Sequence, residues 1–142
     1  MKAKAYLEQI KESREKIRQL ENQLESVKIA MTEIKSIDLE RIHAPGAEND
    51  GIIGEIVKLN RIAEDAIKQK VRHETTKDRI IKEIQTLPNV KQVELLNKRY
   101  IEYKSLVAIS IEMGFSYDDI RREHGRALAE FERLVLEKSE KS

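Results

Sequence analysis

An all-α fold is predicted by three features of this chain. Apolar residues recur every third or fourth position from Ala3 to Ile34, a second such stripe runs from Ile52, and the remainder consists of short amphipathic segments separated by caps. No segment shows the two-residue alternation of a half-buried strand. The expected architecture is a long antiparallel helical hairpin, a coiled coil over residues 1–87 with its loop near 43–51. A small helix-turn-helix unit is expected over 88–142.

Apolar residues at 39% and charged residues at 37%, with only 4% aromatic, suit helices sharing narrow seams better than a broad globular core. The 27 basic and 26 acidic side chains leave a net charge of +1, so no global positive field points to nucleic acid. A DNA-binding reading must therefore rest on local geometry. Without cysteine there is no disulfide framework and no thiolate ligand or nucleophile. The opening "MKAKAYLEQIKESREKIRQL" lacks the apolar core of a signal peptide, and no run approaches membrane-spanning length. A soluble, cytoplasmic protein with no membrane partner is expected.

The first helix is expected from about Ala3 into the high thirties. Its seam is Ala3, Tyr6, Ile10, Ile17, Leu20, Leu24, Val27, Met31 and Ile34, with Ser13 as a polar interruption. So narrow a seam needs a partner helix. "HAPGAENDG", His43 to Gly51, combines proline, glycine and cap residues and breaks the pattern. From about Asp50 toward Thr86 a second helix carries a broad stripe that includes Ile52, Ile53, Ile56, Val57, Leu59, Ala66, Ile67 and Val71. After a polar gap at Lys70, His73 and Lys77 the stripe resumes at Ile80, Ile81, Ile84 and Leu87. Folding the two helices back to back sets residues near 34 beside residues near 52, and Ser13 opposite the neighbourhood of His73. The meeting of polar interruptions favours pairing within the chain, with a dimeric coiled coil in trans as the alternative.

"TLPN", Thr86 to Asn89, ends the second helix at Pro88 and offers Asn89 as the next cap. A third helix is expected through Val90, Val93, Leu95, Leu96, Tyr100 and Ile101, then a break at Glu102–Lys104. Ser105 caps a fourth helix that ends at Gly114, and Ser116 opens the last, whose apolar face includes Ile120, Ala127, Leu128 and Phe131.

The run "SIEMGFSYDDIRREHGRA", residues 110–127, has the spacing of a helix-turn-helix corner. Ser110 is small where a second helix would cross, Gly114 tolerates the positive φ of the turn, and Ile120 points back into the corner. Ile109, Met113 and Phe115 are expected to bracket it as core. Asp118 and Asp119 suit the positive end of a helix dipole, and Ser116 with Asp119 resembles a capping box. Tyr117, Asp118, Arg121 and Arg122, with Arg126 one turn on, occupy the outward positions from which a recognition helix reaches bases and phosphates.

The stretch "LLNKRYIEYKSLVAISIEMGFSYDDIRREHGRALAEFERL" resembles the C-terminal half of ArpU/RinA-type phage and prophage transcriptional regulators. Those regulators are similar to the promoter-reading C-terminal domain of sigma factors. The resemblance is carried by "RY" at Arg99 and Tyr100, "EMGFS" from Glu112 and "HGRAL" from His124, and more loosely by the charged N-terminal helices. It implies a DNA-binding regulator of phage transcription with no enzymatic step, no cofactor and no metal. The candidate contact set for double-stranded DNA is Ser116, Tyr117, Asp118, Arg121, Arg122, His124 and Arg126. RNA polymerase contact and homodimerisation are roles open to the hairpin. Glu123 departs from the family pattern, which places an aliphatic residue there; the helix must be rotated or shortened, or Glu123 must find a basic partner.

His43, His73 and His124 are too dispersed for a metal site, and no phosphate loop, nucleophile motif or acid–base dyad accompanies them. Two other readings stand beside the regulator. A packaging protein like a phage terminase small subunit also joins a helix-turn-helix to helical oligomerisation elements, but usually in the opposite order. A protein-binding coiled-coil adaptor would suit the ten basic and ten acidic residues from Asn89 onward.

Overall fold

The computed structural model describes residues 2–41 and 50–140, and every element within them is helical. His43 and most of the expected hairpin loop lie outside the described residues. Helix α1 spans Lys2–Arg41 and α2 spans Asp50–Gln85, so Gly51 belongs to the helix. Helix α3, Val90–Leu96, runs on into a wider π-helical turn at Asn97–Ile101. Helix α4 is Leu106–Met113 and α5 is Tyr117–Phe131; a second π-helical turn, Glu132–Leu136, leads to α6 at Glu137–Glu140. No helix of the described residues is long and apolar enough to cross a membrane.

The chain divides into two compact units, and the division differs from the expected boundary after residue 87. One unit joins Met1–Arg14 to Glu74–Ser142; the other is Glu15–His73. The reason is continuity of apolar packing. Ala3, Leu7 and Ile10 of α1 and Ile80 and Ile84 of α2 bury in the same cluster as Leu95, Leu96, Ile109, Ile120, Ala127 and Phe131. Fully burying a Leu, Ile or Phe side chain stabilises by about 1.5–3 kcal/mol, so the ends of the long helices are held by the short ones. Leu7, absent from the expected seam, is completely buried there, whereas Tyr6 is half-buried. Tyr6 packs its ring 5.8 Å from Phe131 and donates its hydroxyl to Glu83.

The Tyr6–Glu83 contact also sets the register of the two antiparallel helices in this unit. Seven residues along α1 from Tyr6 is Ser13, and seven residues back along α2 from Glu83 is Thr76. The buried Ser13 thus stands opposite the turn of Thr76, which is about one helical turn along α2 from His73 and so within the anticipated neighbourhood.

In the second unit the expected seam holds. Ile17, Leu20 and Val27 of α1 are buried, Leu24, Met31 and Ile34 are half-buried, and Leu59 and Ala66 of α2 are buried against them. Lys70 reaches Glu21 at 3.4 Å, as antiparallel pairing requires. The α2 stripe is broader than this seam: Ile53, Val57, Ile67 and Val71 face solvent.

Candidate nucleic-acid interface

The corner between α4 and α5 is built by three local devices. Ser105 caps α4, its hydroxyl accepting from the Ala108 amide at 3.1 Å. Gly114 ends the helix in the left-handed region at φ 73°, and the amides of Gly114 and Phe115 both donate to the Ser110 carbonyl. Ser116 then starts α5, accepting from the Asp119 amide at 3.1 Å. Only one residue, Phe115, separates the two reversals, so α5 must leave the corner in a direction set by backbone bonds.

Ser110, Ile109 and Ile120 are buried as the spacing anticipates. Ser110 turns its hydroxyl back onto the Val107 carbonyl of its own helix at 2.6 Å, so the buried hydroxyl is satisfied within α4. Phe115 is a correction: expected in the core, it is 42% exposed, with the Lys91 ammonium 3.9 Å from its ring centroid. Its ring lies at the surface of the corner, where the Lys91 ammonium stacks on its face as a cation–π contact. Lys91 was not among the anticipated contact residues; it stands 24 positions before Phe115, beyond any local pattern.

On α5, Tyr117, Asp118, Arg121, Arg122 and Arg126 are all exposed. Asp118, Arg121, Arg122, Gly125 and Ala129 follow the i, i+3, i+4, i+7 spacing of a single helix face, all solvent-facing. Gly125 has open space where a side chain would project, so this face is low at its centre with arginines along it. Gly125 and Ala129 were legible from their spacing and were missed because they carry no donor or charge. Arg121 lies 3.9 Å from Asp118 with both side chains well exposed, a pair of negligible strength. Arg122 has no carboxylate partner among the described residues, so its guanidinium is available.

Glu123 does find a basic partner. It is buried, accepts from Gln92 Nε2 at 3.2 Å and pairs with Arg126 at 3.2 Å, tying α5 to α3. The buried carboxylate is thus charge-paired with Arg126 at the edge of the packing between α5 and α3. Gln92 Oε1 and Asn97 Oδ1 are buried without a hydrogen-bond partner.

His124 is placed on the flank of α5, half-buried, not on the outward face. Its Nε2 is 2.9 Å from the Tyr100 hydroxyl, with the rings stacked at 5.8 Å. Burial, then the nearby charges of Arg99 and Lys4, lowers its pKa below the usual imidazole value; burial pushes Tyr100 up to about 12. His124 is thus a neutral packing partner at neutral pH and offers no cation to a phosphate.

Among the described residues no group of three or more His, Asp and Glu could hold a metal ion. No family model, curated protein or solved structure matches the chain.

Proposed function

We propose that the chain is a DNA-binding transcriptional regulator of the ArpU/RinA type, reading double-stranded DNA through α5. The observation that carries this reading is the outward face of α5, where Arg121 and Arg122 flank the low surface at Gly125 behind a corner fixed by Gly114. An arginine beside a small residue can approach a base edge closely in the major groove, where bidentate contact with guanine is the commonest specific pairing. Arg126, fastened at one nitrogen to Glu123, keeps most of its side chain exposed and serves as a phosphate anchor. No step of this function needs a catalytic group.

The arginines make separable contributions. A good arginine–base contact is worth about 1–3 kcal/mol, so Arg121→Ala or Arg122→Ala should weaken a selected site far more than random DNA. Arg126→Ala should weaken both alike and reduce the salt slope by about one counterion. Selection of bound fragments from host and prophage DNA, followed by salt-dependent gel shifts, measures both. With ten basic and ten acidic residues from Asn89 onward, electrostatic steering is weak, and useful affinity requires a second recognition unit or RNA polymerase.

One observation favours a different class, a protein-binding adaptor. Val107 and Ile111, one turn apart on α4, are 55% and 76% exposed beside the corner. Wild-type affinity of both single arginine variants for specific and random DNA would make the adaptor the better reading.

A further inference from the structure

The unit Glu15–His73 carries a solvent-facing stripe that its own helix pair does not use. On α2, Ile53, Val57, Asn60, Glu64, Ile67 and Val71 are all exposed, and they follow one another in steps of four, three, four, three and four. That is the spacing of a coiled-coil seam on one face of the helix, adjacent to the seam already occupied by α1. Its apolar members are 50–56% exposed. The order of steps reads the same from either end, and so does the chemistry: two aliphatic residues, two polar residues, two aliphatic residues.

We infer that this face binds a second copy of the same chain, α2 against α2 and antiparallel, with the two-fold axis beside residue 62. In that arrangement Ile53 meets Val71 of the second copy, Val57 meets Ile67, and Asn60 meets Glu64, each pair occurring twice. The charges support a copy of itself as the occupant. Arg61 and Glu64 have no ion-pair partner among the described residues, although they lie three residues apart on one helix. Antiparallel pairing about residue 62 brings Arg61 of one copy within side-chain reach of Glu64 of the other, and the reverse. A uniformly acidic or basic partner would leave one of the two unmatched in a closing interface. A parallel pair would set Glu64 against Glu64. An open depression lined by Arg61, Ile62, Glu64, Asp65 and Lys68 flanks the stripe at this midpoint and gives the long side chains room. Polar residues in the middle of an aliphatic seam weaken it but select one register and orientation. The inference rests on this unit alone and stands whether or not α5 reads DNA.

Sedimentation equilibrium of the full chain at micromolar concentrations should show a dimer. Val57→Glu and Ile67→Glu, both at exposed positions, should yield monomers with unchanged helicity. Arg61→Glu and Glu64→Arg should each weaken dimerisation by about tenfold or more, and the double variant should recover it. The chain has no cysteine, which permits a direct test of orientation. A mixture of Val57→Cys and Ile67→Cys should oxidise to a cross-linked pair, while neither variant should cross-link with itself, because a disulfide needs Cα atoms within about 7 Å. A monomer throughout, a dimer indifferent to Val57→Glu, or self-cross-linking of Val57→Cys would each overturn the inference.

Discussion

His124 and Tyr100 illustrate how a motif residue can be conscripted by the core. The imidazole sits beside the glycine and arginine of α5, yet its ring is turned onto the Tyr100 phenol and partly removed from water. Burial disfavours its protonated form, so the folded pKa lies below the unfolded value near 6.5. As pH falls, the unfolded chain binds the proton first. Stability is therefore intact above about pH 6.5 and declines as pH drops through that value toward the folded pKa. Chemical denaturation at about pH 7.5 and about pH 5.5 should show this decline, and His124→Phe should show a smaller one. An unchanged pH dependence in the variant would place the proton uptake elsewhere.

The elements of the C-terminal region are joined by breaks that specific side-chain and backbone contacts hold in place. The turn between α3 and α4 passes through Tyr103, a non-glycine residue at φ 60°. It is held by Arg14, which donates to the Ile101 carbonyl at 2.7 Å and lies 5.2 Å from the Tyr103 ring centroid. A cation at a helix C-terminus complements the dipole there. Across the same break, Glu112 of α4 takes Lys104 at 2.7 Å and Lys98 at 3.3 Å, and these bonds hold its pKa below the usual carboxylate value. The turn between α4 and α5 depends instead on Gly114. Nothing lies within 4 Å of a side chain added at that position, so a substitution is penalised by φ alone. Gly114→Val should cost roughly 1–3 kcal/mol in thermal or chemical denaturation, and Gly114→Asn clearly less, because asparagine tolerates the left-handed region. Equal losses would mean the penalty is not conformational.

At the scale of the molecule, the division into units changes what a truncation does. A fragment ending at Pro88 keeps both long helices but removes Leu95, Leu96, Ile109, Ile120 and Phe131, against which Leu7, Ile10, Ile80 and Ile84 are buried. Hydrogen exchange on that fragment should show lost protection over residues 3–13 and 75–87, with protection retained near Leu20, Val27, Leu59 and Ala66. Uniform protection along both helices would show that the hairpin folds as one body, with the boundary at 87 after all. The charge balance belongs to this scale too: a chain of net charge +1 exerts little long-range attraction on a charged partner.

Local chemistry determined the helices themselves, their caps at Asn89, Ser105 and Ser116, and the left-handed turn at Gly114, because each depends on residues within about four positions. The seam in Glu15–His73 was legible for the same reason, a fixed period along one helix. What tertiary structure alone decided involves residues far apart in the chain. Glu123 is made tolerable by Gln92, His124 is drawn inward by Tyr100, Phe115 is covered by Lys91, and the root of the long helices is claimed by α3–α5. Periodicity shows which face of a helix is apolar, but not which of several apolar surfaces will cover it. That choice is made by burial summed over the whole core, and so the unit boundary and the inward side of α5 emerged only from packing.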